Sequence, residues 1–445
     1  MFRNLGYKVL SSRIDLASFM KRTVTRQWTW LVGWFILTFC LGTSVAFSQA
    51  HRCGQEAFQH YFGPQNKQVL EQQRQIVRNW LAQQPEKSFL EPRSPIVIPV
   101  VIHVVYRLDE ENISDEQIFS QLDVLNTDYR ALNESLSIIP EPFQDAIADM
   151  EIEFCLAQRT PDGEPTTGII RVPTEVEAIG SLPDVHYDNF GGSDAWLPQQ
   201  YLNIWVADMG GDFAGRANFP GQGPETEDGA VIDPRFFGTV GTAQASFPYN
   251  LGRTTTHEIG HYFNLQHVWG SGGASCGKDD DLADTPETGN TFLGQCPNQE
   301  FASCGSSDMF TNYMYYTDDA CMAQFTPDQK AWMLATLNTV RTGLLDSPGC
   351  LPPGVDHPNQ FGPLTVSVFP SPARGFILLE TTTGDEQDLA VDLYSIDGKR
   401  LSSRQYSPNI RHRIELSSLP AGVYVLRIRQ GDVQFQEKFV VGRYE

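Results

Sequence analysis

Four residues suited to metal binding and acid–base chemistry fall within HEIGHYFNLQH, residues 257–267. They are His257, Glu258, His261 and His267, although the whole chain has only nine histidines. In a helix, residues four positions apart share a face, so His257 and His261 can bind one ion together. Catalytic zinc takes three protein ligands and keeps one position for water. Glu258, beside the first ligand, can accept the proton of that water.

The third histidine requires a break in the helix. His267 lies six residues after His261, too far round to stay on the same helical face. The chain must therefore leave the helix and turn back. Such an exit normally uses a residue with positive φ, for which Gly is best and Asn is next. Asn264 stands where this break is needed. The sequence therefore predicts a zinc site formed by the three histidines, with Glu258 as the general base.

Three alternatives compete with this interpretation. The first is an amphipathic helix with incidental histidines, which the glutamate, the spacing and the helix breaker together disfavour. The second is a secreted adhesion or binding protein with a structural metal site, which would have no use for a base such as Glu258. The third is zinc-dependent hydrolysis of a non-peptide substrate. Because a metal-activated hydroxide attacks a carbonyl, these residues by themselves predict a zinc-dependent hydrolase.

The motif resembles the metzincin zinc signature HExxHxxGxxH, with Asn264 at the position of its glycine. Downstream, TNYMYYTDDACMAQFTP (311–327) is similar to the methionine turn of the pappalysin–cytophagalysin family, and the likeness spans roughly residues 98–345. The resemblance implies that Met314 packs under the zinc without binding it. It also implies that Tyr316 assists the developing oxyanion. The main prediction is therefore a secreted zinc endopeptidase that hydrolyses peptide bonds in a polypeptide substrate.

Two further features bear on substrate binding. DGAVID (228–233) matches the edge strand of a metzincin cleft, to which an extended peptide adds by backbone hydrogen bonds. An ordinary edge strand is the alternative. Asp318 and Asp319, after the methionine turn, are expected to favour a basic residue following the scissile bond.

An acidic loop, CGKDDDLADTPETG (276–289), raises the question of a second metal. Carboxylates and backbone carbonyls from one loop suit the six to eight oxygen ligands of calcium, although the spacing is not that of an EF-hand. The resemblance implies a calcium ion at Asp280, Asp284 and Thr285. An exposed acidic loop without an ion is the alternative.

Cysteine usage indicates an exported chain with one thiol left over. Seven cysteines lie beyond an N-terminal export signal, so pairing leaves one unmatched. Cys53 in HRCGQE resembles a cysteine switch, whose thiolate would occupy the open position of zinc until a propeptide is cleaved. An incidental unpaired cysteine is the alternative. The resemblance implies the disulfides Cys276–Cys304 and Cys296–Cys321, and Cys155–Cys350 is then the pair that remains. The sequence alone leaves the connectivity open.

Size and charge restrict the remaining possibilities. The chain has 445 residues, enough for two or three domains, and its 41% hydrophobic content is that of a globular protein. A formal charge of −22 argues against nucleic acid as a partner. Lys21, Arg22 and Arg26 precede an apolar run at 30–42 that fits an export signal. The run is short for a membrane span, so no stable span is expected in the mature chain.

The domain organisation follows from these patterns. We expect an α/β (α+β) metzincin-like catalytic domain, with a twisted mixed sheet built on the apolar run SPIVIPVVIHVVY and an active-site helix. His103 in that run is expected to be a satisfied core histidine. The predicted segments are a signal peptide (1–48), a propeptide with one helix (49–93), the catalytic domain (94–350), a Pro/Gly linker (351–363) and a small all-β sandwich (364–445).

The C-terminal segment carries a resemblance of its own. VSVFPSPARG, VDLYSIDGKRL, LSSLPAGVYVLRI and KFVV are similar to the sorting domain of the type IX secretion system of Bacteroidetes. This likeness implies export across the outer membrane by the type IX machinery, followed by removal of the tail. A retained adhesion or carbohydrate-binding sandwich is the alternative.

Overall fold

A computed structural model describes residues 51–84, 95–351 and 365–442, with short gaps at 60, 62, 212, 298–299, 383–386, 397, 409–410, 417 and 432. The predicted signal peptide and almost all of the predicted linker lie outside the described residues. Within the described ranges, no helix combines the length and the apolar character needed to cross a bilayer.

The apolar run forms β2, Ile96–Tyr106, the central strand of a mixed sheet. Strands of a parallel sheet are covered on both faces, which is why this run is continuously apolar. His103 is fully buried, with Ser193 Oγ at 2.8 Å from Nδ1 and Asn203 Oδ1 at 3.0 Å from Nε2, so it is the satisfied core histidine that was predicted. Three strands pair with β2 in parallel: β3 (Ile152–Leu156), β4 (Ile169–Pro173) and β5 (Leu202–Ala207).

The other side of the sheet ends in three short strands: β1 (His51–Cys53), β6 (Phe213–Ala217) and β7 (Ala230–Ile232). The order β1-β6-β7-β5-β2-β3 puts β7 inside the sheet, with β6 antiparallel to it and β1 parallel to β6. The prediction that DGAVID forms the edge of the cleft is therefore wrong, because β6 covers β7. The FAGRA sequence of β6 has little intrinsic strand propensity. It forms a strand because β1 and β7 pair with its two edges.

The described α-helices are α1 (Gln55–Gln59), α2 (Pro64–Leu81), α3 (Asp115–Asp128), α4 (Arg253–Tyr262) and α5 (Pro327–Thr339). Ser114 caps α3, and Thr326 caps α5 within a capping box, as their sequences predict. Helix α2 matches the helix predicted before the catalytic domain. Ile259 of α4 belongs to the same buried cluster as Leu122 of α3 and Ile232 of β7, so the core places α4 under the cleft side of the sheet.

Disulfides fix the loops around α4. The pairs Cys276–Cys304 and Cys296–Cys321 are those that the family resemblance implied, and Cys155–Cys350 is the remaining pair, while Cys53 is free and buried. A small hairpin lies in the looped region: β8 (Ala302–Ser303) and β9 (Ser306–Ser307).

The C-terminal residues form strands alone, as predicted, around their own apolar core. Their pairing is antiparallel except where Ala373 meets Val441. The polar strand RLSSRQY escaped the sequence pattern because most of its side chains are exposed. The strands are β10 (Thr365–Arg374), β11 (Phe376–Thr382), β12 (Leu389–Ser395), β13 (Arg400–Tyr406), β14 (His412–Glu415), β15 (Gly422–Gln430) and β16 (Val433–Val441).

Candidate active site

Helix α4 carries His257, Glu258 and His261, and all of its residues are buried. The glycine between the two histidines has a packing reason. A Cβ on Gly260 would clash with the sulfur of Met314, so only glycine lets the methionine lie directly against the helix. Met314 itself is fully buried and lies against the histidine helix at Gly260, while its place under a zinc ion stays a prediction.

The helix ends where the sequence predicts. Asn264 follows the C-cap residue Phe263 and has φ 72°, a left-handed conformation that asparagine tolerates. The amide of Leu265 then donates to Gly260 O at 3.0 Å, which closes the turn. The Asn264 carbonyl accepts a hydrogen bond from Trp332 Nε1 at 2.9 Å, so α5 holds the turn in place.

The three imidazoles meet at one point. His257 Nδ1 lies 2.7 Å from Tyr313 O, and His261 Nδ1 lies 2.8 Å from Leu265 O. Each carbonyl accepts a hydrogen bond from the ring, which leaves the Nε2 atoms as lone-pair donors. His261 Nε2 and His267 Nε2 are 3.1 Å apart, and His257 Nε2 is buried without a hydrogen-bond partner.

This arrangement fits a metal ion. Burial lowers the pKa of His261 to about 4 and, with the neighbouring rings, lowers the pKa values of His257 and His267 well below the usual value. Neutral imidazoles with converging lone pairs are the form that a metal needs. Cys53 Sγ joins them 3.5 Å from His261 Nε2, and the four donor atoms lie within 4.8 Å of one another.

Glu258 is buried beside this cluster. The Cys53 thiol donates toward its Oε2 at 3.7 Å, and its Oε1 has no hydrogen-bond partner. Burial raises the pKa of Glu258 to about 8, with Cys53, Arg52 and Arg216 opposing the rise. Strand β6 passes close over the carboxylate because Gly215 has no side chain, and a Cβ there would come within 3.0 Å of Glu258 Cγ.

Tyr316 is half-buried beside the histidine cluster. Its ring is 4.7 Å from that of His267 and 5.8 Å from that of His257, and it packs edge-on against Trp269. Burial and the Glu258 carboxylate raise the pKa of the Cys53 thiol well above its usual value, while hydrogen bonds from the Gln55 amide and from Tyr316 act in the opposite direction.

Arg52 is one residue of the site that the sequence patterns do not identify. It is fully buried, with Nη2 2.7 Å from Thr317 O and 2.5 Å from Asp319 Oδ1. Its guanidinium also lies 4.2 Å above the Tyr249 ring. The sequence does contain a signal for this contact. A basic residue, Arg52, directly precedes the unpaired Cys53, and an acidic pair, Asp318 and Asp319, follows the methionine turn.

The residues of the acidic loop only partly converge. The hydroxyl of Thr285 donates to Asp280 Oδ1 at 2.7 Å. Asp284 instead accepts hydrogen bonds from Thr326 Oγ1 and Asp328 N at the start of α5. Across the described part of the chain, the four donors at the zinc motif are the one group of three or more His, Cys, Asp or Glu side chains close enough to share an ion.

Comparison with known proteins identifies the family. Residues 186–338 match the pappalysin peptidase model, described as "Pregnancy-associated plasma protein-A". The chain is 41% identical to mature mirolysin of Tannerella forsythia, solved in complex with a cleaved peptide. That match covers 57% of this chain and 97% of mirolysin at a TM-score of 0.53. The chain belongs to the pappalysin family.

Other relatives extend this result. A promirolysin variant of Tannerella forsythia is 38% identical, and the match covers 66% of this chain and 96% of that one at a TM-score of 0.58. An extracellular metalloprotease of Arthroderma benhamiae is 26% identical over 264 residues, which are 58% of this chain and 84% of that protein. The pappalysin is thus a metalloendopeptidase that hydrolyses peptide bonds, and the relatives give no support to the adhesion alternative.

The C-terminal strands match a known export signal. Residues 367–442 fit the model described as "Secretion system C-terminal sorting domain". Together with the extracellular relatives, this match makes the pappalysin a secreted or cell-surface enzyme.

Proposed function

We propose that the pappalysin is a latent zinc endopeptidase in which His257, His261 and His267 hold the metal. The observation that carries this proposal is the convergence of three buried imidazoles, two of which, His257 and His261, are held at Nδ1 by backbone carbonyls. Zinc takes imidazole nitrogens at about 2.0–2.1 Å and also accepts thiolate, whereas calcium and magnesium prefer oxygen.

Three residues have separate roles in the proposed reaction. When bound, zinc polarises the scissile carbonyl and lowers the pKa of a water molecule. Glu258 accepts a proton from that water and passes it to the leaving amine, a role for which its carboxyl group is placed on the same helix as His257 and His261. Tyr316 donates a hydrogen bond to the developing oxyanion. Met314 supports the histidine helix from below without touching the reacting atoms.

Cys53 and Arg52 keep the enzyme latent in this proposal. The Cys53 sulfur lies where it would take the fourth position at the metal, and strand β1 fills the cleft beside β6. Cleavage of the propeptide removes both. The promirolysin match covers a larger share of this chain than the mature match, and a segment of the size of 51–93 accounts for the difference.

The pocket that holds the Arg52 side chain, formed by Asp319 and Tyr249, also supports a substrate preference. Arg52 donates to Asp319, and the Tyr249 ring lies under the guanidinium, so the pocket already accepts a basic side chain. Once the propeptide is gone, Asp319 remains to bind Arg or Lys of a substrate. We infer that this is the residue following the scissile bond.

The domain boundaries follow the sequence patterns. The proposed segments are the signal peptide (1–48), the propeptide (49–93), the catalytic domain (94–350), the linker (351–363) and the sorting domain (364–445). The type IX machinery would recognise the last segment, which is then removed.

A calcium ion at the acidic loop is the second metal that we propose. Asp280 is buried, burial raises the pKa of its carboxyl group well above the usual value, and its Oδ2 has no hydrogen-bond partner. A buried carboxylate oxygen without a donor suits a cation. Thr285 lies beside it, whereas Asp284 would need to turn from the start of α5 to join the ligands.

Substitution of the general base tests the proposed function. Activated Glu258→Gln is expected to cleave casein roughly 100- to 10,000-fold more slowly than the wild type while retaining its zinc, measured by elemental analysis. Glu175→Gln, at an exposed carboxylate, is the matched control. Equal activity in Glu258→Gln and the wild type would contradict the assignment.

A further inference from the structure

Strand β6 carries a buried cation with no acidic partner. Arg216 is only 4% exposed, and no carboxylate in the described part of the chain lies within ion-pair distance of its guanidinium. Its Nη2 lies 3.2 Å from His186 Nε2, and its Nε has no hydrogen-bond partner. Buried charges are almost always paired, so an unpaired guanidinium beside a substrate cleft requires an explanation.

The propeptide is what covers this guanidinium. The ring of Phe58, in α1, lies 4.4 Å from the Arg216 Cζ and packs edge-on against Phe213. Gln55 of the same helix donates to Gln222 at 2.9 Å, which holds the segment down. Cleavage of the propeptide removes Phe58 and uncovers Arg216 at the edge strand, where an extended peptide binds.

The register of β1 shows on which side of the metal Arg216 lies. His51 is opposite Phe213 and Cys53 is opposite Gly215, so the Arg52 pocket lies toward the start of β6. Arg216 lies on the other side of the Cys53 position. This placement rests on the proposed function, in which the Asp319 pocket takes the residue after the scissile bond. Arg216 then borders the residues that precede that bond.

The charged groups around Arg216 do not neutralise its guanidinium, so the guanidinium is available to a substrate carboxylate. Glu227 and Glu258 are close enough to raise the pKa of Arg216, but burial dominates and lowers it to about 10. Glu227 already accepts a hydrogen bond from Tyr187 at 2.8 Å. His186 is neutral, because burial and the Arg216 charge lower its pKa. Arg216 therefore remains a cation whose planar fork matches a carboxylate.

We propose that Arg216 is a specificity-determining residue that binds an acidic side chain of the substrate within three residues before the scissile bond. The preferred substrate would then carry Asp or Glu before the cleaved bond and Arg or Lys directly after it. This pattern is matched to the two opposite charges, Arg216 and Asp319, on the two sides of the metal.

Paired peptides provide the test. Glu and Gln are compared at each of the three positions before the scissile bond, in otherwise identical peptides with Arg after it. For the activated wild type, kcat/KM for Glu should exceed that for Gln by roughly three- to tenfold at one of these positions, the size of a partly screened charge pair. The advantage should shrink in 1 M salt, where the Debye length falls to about 3 Å.

Variants of Arg216 sharpen the test. Arg216→Met should bring the Glu/Gln ratio to one, Arg216→Lys should keep part of it, and Arg216→Glu should invert it. The ratio is internal to each preparation, so partial loss of folded enzyme does not affect it. If the Met variant does not fold, the Lys variant and the salt dependence of the wild type still decide the matter.

Two results would overturn the proposal: a wild-type ratio of one at all three positions, or a ratio that Arg216→Met leaves unchanged. The Arg/Gln preference after the scissile bond is measured in the same samples and should be the same in wild type and Arg216→Met. If the wild type shows no Arg/Gln preference but keeps its Glu/Gln ratio, the result contradicts the proposed role of Asp319 in binding the residue after the scissile bond. The proposed role of Arg216 is then still supported.

Discussion

The zinc motif and the acidic loop both gather metal-binding residue types, yet the fold uses them differently. At the motif, carbonyls hold His257 and His261 by Nδ1, so their Nε2 atoms converge with that of His267. In the loop, Asp284 caps α5 and Asp280 accepts from Thr285. Donors whose other polar atoms are already occupied form a preorganised site, whereas carboxylates that serve as caps contribute mainly to stability.

The largest effect should come from replacing a zinc ligand, and it is compared with replacing a proposed calcium ligand in the acidic loop. His267→Ala is expected to lose most of its zinc and to lower kcat/KM at least about a thousandfold, a barrier increase of about 4 kcal/mol. Asp280→Asn should keep its zinc, because its carboxylate lies outside the imidazole cluster. Elemental analysis and peptide hydrolysis of the activated variants check both. Full zinc content in His267→Ala would remove the distinction between the two sites.

The second-largest effect should come from breaking the ion pair between the propeptide residue Arg52 and Asp319. Asp319→Asn leaves the buried Arg52 without its counter-charge, which costs about 3–5 kcal/mol when a buried pair is broken. The uncleaved variant should therefore hold β1 less firmly and reach a larger fraction of its own activated rate of peptide hydrolysis than the uncleaved wild type does, a comparison that cancels the loss of Asp319 from the substrate pocket.

Asp318→Asn is the matched control, since Asp318 accepts from Ala320 N and makes no ion pair with Arg52 among the described residues. Equal latency in Asp319→Asn and Asp318→Asn would argue against Arg52 as an anchor of the propeptide.

Calcium should stabilise the loop without being needed for zinc binding. At a calcium concentration of 100 Kd, binding adds about 2.7 kcal/mol to the free energy of unfolding. For a domain of this size that corresponds to a rise in Tm of about 5–10 °C. Asp280→Asn should lose the calcium-dependent shift, and His267→Ala should retain it. Scanning calorimetry with and without calcium measures the shift, and its absence in the wild type would favour an acidic loop that binds no ion.

The smallest effect concerns the helix break. Asn264 has φ 72° and its buried Nδ2 lacks a hydrogen-bond partner. Asn264→Gly should therefore raise the free energy of unfolding by up to about 1 kcal/mol, whereas Asn264→Ala should lower it by about 1 kcal/mol, because alanine is strained at positive φ. Urea unfolding of zinc-loaded protein compares the two. An alanine variant as stable as the glycine variant would show that the turn does not depend on this conformation.

Local chemistry made the core of the site predictable from sequence. Helical spacing placed His257 and His261 on one face, and the need for positive φ identified Asn264. The buried strand β2 was equally clear from its apolar run. These predictions depend on neighbours within one or two turns of the chain.

The rest depends on contacts between distant segments. Arg52 reaches Asp319 across 267 positions, and strand β6 exists because β1 and β7 pair with its two edges. No local pattern in FAGRA shows this pairing, which is why the edge of the cleft was assigned to β7. No sequence pattern identifies Arg216 for the same reason, since its partners Phe58 and His186 come from other elements.

The most direct test of the zinc assignment is X-ray absorption at the zinc edge, on the uncleaved wild type and on Cys53→Ala. Three nitrogens at about 2.0–2.1 Å and one sulfur at about 2.3 Å are expected for the wild type, and the sulfur should disappear in Cys53→Ala while the nitrogens remain. A wild-type zinc shell without sulfur, or with fewer than three nitrogens, would contradict the assignment of His257, His261, His267 and Cys53 as its ligands.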